Sequence, residues 1–293
     1  MRAHAGAVTR RSFLSVSALS VSALSVAAPA MAAASPWKAP GLEIYSLRRE
    51  MSKDLPGTLA LIRKMGITEV EVPGYYGLTA EEFGHALAKA GLWPTALVGQ
   101  YDRLAKDMAG LQREAKTLGV EWVIFPWIPH DAALKPDDVR RASREMNGWA
   151  EDLAGAGLKF AYHPHGYEFQ PTAQGTLFDL LMAETDPARV FYQMDTFWIA
   201  VPGQDCVQLL RRYSNRFRLM HLKDLRKGAA TGDLTGHAPD VDSVAVGTGC
   251  LDWTAILRAA RRAGVESYYI EDESPAAITQ IPKSLEYLRT LAL

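Results

Sequence analysis

Short runs rich in β-branched and aromatic residues recur eight times along this chain, at intervals of about thirty residues, and each is followed by a stretch that reads as helix. The runs are LEIYSL (42–47), TEVEVP (68–73), WPTALV (93–98), EWVIFPW (121–127), LKFAYHP (158–164), RVFYQMD (189–195), RLMHLKD (218–224) and SYYIED (267–272). Strands that alternate with helices pair in parallel, because a helical crossover returns the chain to the same end of the sheet. Eight such units can be wound as an open sheet or closed on themselves. Closure is expected: no reversal breaks the pattern, no strand is left over, and the length fits a single-domain (β/α)8 TIM barrel of roughly 250 residues.

Local punctuation supports the helices. Thr79 with Glu82 has the pattern of a capping box, and Gly91 stands where that helix must end. Gly66, Gly119, Gly157 and Gly264 mark the same stop before the next strand, while Pro136 and Pro275 suit a first helical turn, where a missing amide hydrogen is harmless. One connection is irregular. Residues 225–250, LRKGAATGDLTGHAPDVDSVAVGTGC, form a long glycine-rich loop after the seventh strand, and such loops in compact domains are usually functional or mobile.

Residues 1–34 stand apart from the barrel expected over 35–293. Arg10 and Arg11 precede Ser12, Phe13 and Leu14 and then an apolar, serine-rich run ending in AAPAMAAAS, which reads as a twin-arginine export signal cleaved near residues 32–34. The run is short for a membrane span of roughly 20 apolar residues. The expectation is therefore a periplasmic or secreted protein, free of the membrane once the signal is removed. That segment holds Arg2, Arg10, Arg11 and no acid, leaving 29 basic and 33 acidic residues in the rest. A nucleic-acid binder would show the opposite sign, so no nucleic-acid partner is expected. Cys206 and Cys250 are too few for a disulfide scaffold, and sequence leaves their pairing open.

In a barrel of this kind chemistry sits at the C-terminal ends of the strands. Here those ends carry Glu71 on the second strand, His163 and His165 on the fifth, Asp195 on the sixth, His221 and Lys223 on the seventh, and Glu271 and Glu273 on the eighth. Residues two apart on a strand share a face, so each of the three pairs can point inward together. Any one of these side chains alone reads equally well as a cap, a surface ion pair or a hydrogen-bonded structural residue. The set is harder to explain away, because several titratable groups buried at one mouth are costly unless a cation or mutual hydrogen bonds compensate. Nitrogen and oxygen donors without thiolate suit manganese, zinc, cobalt or iron.

The strings GLEIYSL, EVEVPGYYGLTAEEF, FAYHPHGYEF, MDTFW, LMHLKD, VGTGCLDW and YYIEDE, in this order, resemble the sugar phosphate isomerase/epimerase family of xylose isomerase-like barrels over residues 41–291. They look most like a secreted branch with a YHNHxxEF-like fifth strand. The resemblance implies one divalent metal, manganese first, with Asp195, His221 and Glu271 as ligands. It also implies a strand-five glutamate, and here the chain departs: His163 stands at that position and Pro164 at a following asparagine. Either Glu168 folds back to restore the carboxylate or His163 coordinates in its place. In the family two glutamates flank the substrate and move a proton next to a carbonyl while the metal stabilises the enediolate oxygen. His163 and His165, Glu271 and Lys223 are the corresponding catalytic candidates here, with Lys223 either neutralising an oxyanion or pairing with Asp224.

Glu71 is read as binding sugar hydroxyls or as part of a polar layer in the barrel, and Trp127 and Trp198 as stacking on a sugar ring or packing in the core. Leu97 replaces a histidine that relatives place near the end of strand three. The function expected is isomerisation or epimerisation of a non-phosphorylated sugar, a small-molecule carbohydrate being the partner. The alternatives are cleavage of a 3-keto-glycoside by metal-assisted β-elimination, a non-catalytic carbohydrate-binding protein and, last, an endonuclease-type barrel. Oligomeric state is not readable from the chain.

Overall fold

The computed structural model describes residues 39–292, so the export-signal reading of residues 1–34 lies outside the described residues. Eight parallel strands close into a barrel: β1 (Gly41–Glu43), β2 (Glu69–Val72), β3 (Trp93–Val98), β4 (Trp122–Phe125), β5 (Lys159–Tyr162), β6 (Val190–Asp195), β7 (Phe217–Leu222) and β8 (Ser267–Ile270). Each pairs with its sequence neighbours, and β1 closes on β8 through Gly41 opposite Tyr269 and Leu42 opposite Ile270. The open-sheet alternative is thereby excluded. Among the described residues no helix is long and apolar enough to cross a membrane.

The punctuation works largely as read. Thr79 and Glu82 exchange both capping-box hydrogen bonds, and Gly91 ends the helix Ala80–Ala90 in the left-handed region, where a side chain would be strained. Pro136 opens the helix Pro136–Gly155. Pro275 does not open one: the last helix starts at Ala277, and its internal proline is Pro282. The first strand is shorter than its apolar run, since Ile44–Leu47 turns into a 3-10 helix whose first amide, at Tyr45, donates to the Glu43 carboxylate. Strands four and five likewise stop at Phe125 and Tyr162, before Pro126 and Pro164, which have no amide hydrogen to give the ladder.

Alternation along the strands divides the barrel into two environments. Leu42, Val70, Val72, Leu97, Val123 and Phe160 point out under the helices, each burial contributing about 1.5–3 kcal/mol. Inside, Ala96, Trp122, Ile124, Ala161, Leu219 and Tyr269 fill the barrel with Phe191 against them. One step further along the strands the interior turns polar, with Glu43, Glu71, His163, Gln193, Asp195, His221 and Glu271 all buried. Leu97 belongs to the outer layer, so the strand-three residue that faces the cavity is Val98.

The irregular 225–250 loop is held at several points. Asp224–Leu225 pairs with Ser243–Val244, and the Arg226 guanidinium donates to Asp242 at 2.7 Å. Asp224 is fully buried and accepts from the amides of Gly247, Gly249 and Leu251 and from the Trp253 indole, at 2.8–3.3 Å. At its tip Gly236 passes so close to Tyr167 and Trp127 that a Cβ would lie 2.7 Å and 3.2 Å from their rings. Only glycine lets the loop come in this far. Cys206 is buried, Cys250 is exposed, and both are free thiols.

Candidate metal centre and active site

The strand ends surround a cavity of about 440 Å³ at the C-terminal mouth of the barrel. Its lining includes Glu43, Glu71, His163, His165, His221, Glu271 and Glu273, with Trp127 and Trp198 on one side and Gly236, His237 and Asp240 reaching in from the long loop. Of the residues singled out in the sequence, these come together as expected. Lys223, Asp195 and Glu168 sit beneath the surface of the cavity rather than on it.

Asp195 ends β6 and caps the short helix Thr196–Ala200, its Oδ1 accepting from the Phe197 and Trp198 amides at 2.8 and 3.1 Å. The other oxygen, Oδ2, is buried without a hydrogen-bond partner, as is Nε2 of His163, and the two atoms face each other at 3.6 Å. The His163 Nδ1 lies 2.9 Å from the Gln193 Oε1, and the Gln193 amide nitrogen donates to Glu71. A carboxylate only accepts, so this bond fixes the amide's orientation, and the amide oxygen in turn requires the hydrogen of His163 on Nδ1. When that ring is neutral, Nε2 is a bare lone pair pointing at a carboxylate lone pair. Two buried acceptors in that arrangement call for a cation.

His221 completes the group. Ligand atoms of His163, Asp195 and His221 lie within 4.8 Å of one another, close enough to share one ion. The His221 Nδ1 is 3.8 Å from Asp195 Oδ2 and 3.0 Å from Glu271 Oε2, and its Nε2 is 3.1 Å from Glu71. Burial works against a charged imidazole, but Glu71 and Glu271 on its two sides raise His221 well above the ordinary histidine range. Without a metal it therefore carries both protons, and a metal arriving at Nδ1 displaces one. Glu43, Glu71 and His221 form a second group of the same tightness. There, however, the Glu71 and His221 atoms already bond each other, the arrangement by which a carboxylate orients a ligating histidine.

Lys223 pairs with Glu273 and lies 3.4 Å from Glu271 and 3.9 Å from Asp195, while its partner in the alternative reading, Asp224, is occupied by the long loop. Burial favours the neutral carboxyl of Glu271 and Asp195, yet Lys223 and the histidines keep both below the usual carboxylate range. The ammonium also lies 4.9 Å from the Phe197 ring and 5.0 Å from that of Trp198. Lys223 thus organises the carboxylates from below instead of reaching toward an oxyanion in the cavity.

The two strand-five alternatives separate clearly. Glu168 turns away into its own loop, where it accepts from the Tyr162 hydroxyl and from the amides of His165 and Gly166 at 3.2 and 2.8 Å. It does not join the grouped ligand atoms. Burial pushes its carboxyl up to about 7 despite those bonds. Between the ordinary value of 4.5 and about 7 the folded protein holds a proton that the unfolded chain releases, so stability falls as pH rises through that window. Glu168→Gln is expected to remove this slope, which approaches about 1.4 kcal/mol per pH unit for one proton. Urea unfolding of both proteins between pH 4.5 and 7.5 measures it.

His165 stacks on His163 with ring centres 4.6 Å apart. Burial and the neighbouring His163 bring it down to about 3, so it is a neutral imidazole across the working range. Its Nδ1 lies 3.3 Å from the His163 carbonyl, which can only accept, so the free lone pair is on Nε2. Glu43 and Gln193 were missed in the sequence. Glu43 is 3% exposed, its Oε2 has no partner, and burial followed by the Glu71 charge raises its carboxyl well above the usual range. The only available signal was strand position: Glu43 ends β1 and Gln193 stands two residues before the end of β6, both at the inward-facing parity of Glu71.

A family model described as xylose isomerase-like TIM barrel matches residues 59–291. The chain belongs to this family. Among curated relatives, the inosose dehydratase of Geobacillus thermodenitrificans (strain NG80-2) is 28% identical over 156 residues, 49% of this chain and 51% of the relative. That of Geobacillus kaustophilus (strain HTA426) is 41% identical over 147 residues, 42% of this chain and 47% of the relative. The chain thus spans about half the length of the curated relatives it matches. A solved sugar phosphate isomerase/epimerase from Parabacteroides distasonis ATCC 8503 has a TM-score of 0.69 at 25% identity, covering 89% of this chain and 96% of that one. An IolI protein with a bound zinc atom has a TM-score of 0.64 at 14% identity, covering 85% and 94%, a likeness of fold alone. In this chain strand five is followed at the cavity by His163.

Proposed function

We propose that the chain is a metal-dependent enzyme that removes a proton next to a carbonyl of a non-phosphorylated sugar or related polyol, giving isomerisation or epimerisation. The observation that carries this reading is the pair of buried, unpartnered lone pairs on His163 Nε2 and Asp195 Oδ2, 3.6 Å apart. His163, Asp195, His221 and Glu271 would hold the ion. A divalent cation there would supply Lewis-acid stabilisation of a developing enediolate oxygen; the IolI neighbour holds a zinc atom. Manganese remains our first choice.

The other groups have separate tasks. His165, neutral and with its Nε2 lone pair free, accepts the proton, and the uncharged Glu43 carboxyl supplies one. Trp127 and Trp198 offer ring faces to the substrate, and the unpartnered Trp198 indole nitrogen offers a donor. No lysine or arginine lines the cavity among the described residues, whereas five carboxyl groups do, which disfavours a phosphate group. Export directed by Arg10 and Arg11 belongs to the same reading, because phosphorylated sugars are mostly cytoplasmic.

A second reading is β-elimination. The inosose dehydratase relatives favour it, and so does Glu43, since a departing hydroxyl needs a proton donor. Both readings require removal of the proton next to the carbonyl. Incubating the manganese-loaded protein with keto-sugars and keto-cyclitols in heavy water checks this: deuterium at that carbon in a rearranged sugar supports the first reading, and loss of water or an aglycone the second. Neither outcome with any of them would sink both.

A further inference from the structure

Glu71 and Gln193 lie behind the metal group and are not among its ligands. The Glu71 carboxylate is 1% exposed and its two oxygens serve different partners. Oε1 meets His221 Nε2 at 3.1 Å, and Oε2 accepts from the Gln193 amide nitrogen. Gln193 is fully buried between β5 and β7, and its Oε1 meets His163 Nδ1 at 2.9 Å. One carboxylate therefore reaches both imidazoles, one directly and one through an amide. Each bond has a fixed sense, because a carboxylate and an amide oxygen only accept and an amide nitrogen only donates.

We infer that Glu71 and Gln193 form a positioning relay that pins the hydrogens of His221 at Nε2 and of His163 at Nδ1, so that both histidines present the opposite nitrogen to the same cation. This deepens the metal-site reading and rests on it. It also reassigns Glu71, which sequence suggested as a sugar ligand, to the support of the site. The relay explains why a glutamine, costly to bury unless both ends are bonded, sits inside the barrel. It further explains how a histidine serves at a strand-five position where the family resemblance implies a carboxylate. An imidazole needs its tautomer set, whereas a carboxylate has lone pairs on both oxygens and does not.

Partners that orient a metal-bound histidine typically contribute 10–100-fold to metal affinity. Gln193→Leu removes both ends of the amide at similar size, and Gln193→Glu keeps an acceptor for His163 Nδ1. Nitrogen-15 NMR of the histidine rings in metal-free protein reports the His163 tautomer, and calorimetric titration with Mn²⁺ alone reports affinity. The expected result is an Nδ1–H form in the native protein and in Gln193→Glu, an altered form in Gln193→Leu, and about 10–100-fold weaker Mn²⁺ binding in Gln193→Leu. A merely structural glutamine would give the reverse ranking, with leucine tolerated and glutamate harmful. An unchanged His163 tautomer in Gln193→Leu overturns the relay, as does unchanged Mn²⁺ affinity. Failure of the native protein itself to bind Mn²⁺, Zn²⁺ or Co²⁺ overturns instead the metal-site reading on which it rests. If Gln193→Leu does not fold, Glu71→Gln gives the second test: a glutamine there no longer enforces acceptance at both oxygens, and a native-like Mn²⁺ affinity would likewise end the proposal.

Discussion

Asp195→Asn is expected to leave the barrel folded and to lose at least about 100-fold in divalent-metal affinity, more than partners behind the ligands usually contribute. The separation follows from the two oxygens. Oδ1 caps the helix Thr196–Ala200 through the Phe197 and Trp198 amides, a task an asparagine oxygen performs equally well. Oδ2 carries the lone pair opposite His163 Nε2, and an asparagine placed in the same rotamer presents an NH₂ donor there. Lys223 then loses one of the three anions around it, but Glu271 and Glu273 remain. Turnover should fall with the metal. Elemental analysis of the purified variant beside its thermal melt decides the matter: a full complement of metal in the variant would place the ion elsewhere.

Asp224→Ala is expected to cost about 3–5 kcal/mol, lowering the melting temperature by roughly 10 °C for a domain of this size. Asp224 follows the candidate ligands in the sequence motif LMHLKD and looks like one of them. The structure gives it different work, since its carboxylate is fully buried and gathers three loop amides and the Trp253 indole. Removing it strands four donors, each costing about 1–3 kcal/mol if left unpaired, with some relieved by water. The same loop brings Gly236, His237 and Asp240 to the cavity, so substrate affinity should weaken more than metal affinity. Calorimetric melting with metal titration on one preparation tests both, and a native-like melting temperature would show that the loop is held by other contacts.

The architecture was legible because the barrel is specified locally. Apolar runs recur in each unit, glycine stops and capping boxes mark several of them, and each acts within a few residues of its own position. The rim was legible for a related reason: strand ends are predictable once strands are, and several titratable residues gathered there are costly to bury without a cation or mutual hydrogen bonds. His221, Asp195 and Glu271 could be named in this way. Pro275 and the length of the first strand were misjudged where rim turns, not apolar pattern, decide the chain's path.

What remained hidden depends on which atoms meet across the barrel. Sequence named two ways for strand five to contribute, and only the folded loop shows Glu168 bonded to Tyr162 and its own amides while His163 faces Asp195. Glu43, Glu71 and Gln193 sit on three different strands, and their meaning lies in hydrogen bonds between residues up to 150 positions apart. The sequence by itself determined eight βα units and a polar rim, because hydrophobic period and turn chemistry act over short stretches. Tertiary structure alone decided which carboxylate is a ligand candidate, which is a support and which is a loop anchor, because desolvation and hydrogen-bond direction exist only once distant strands have closed around them.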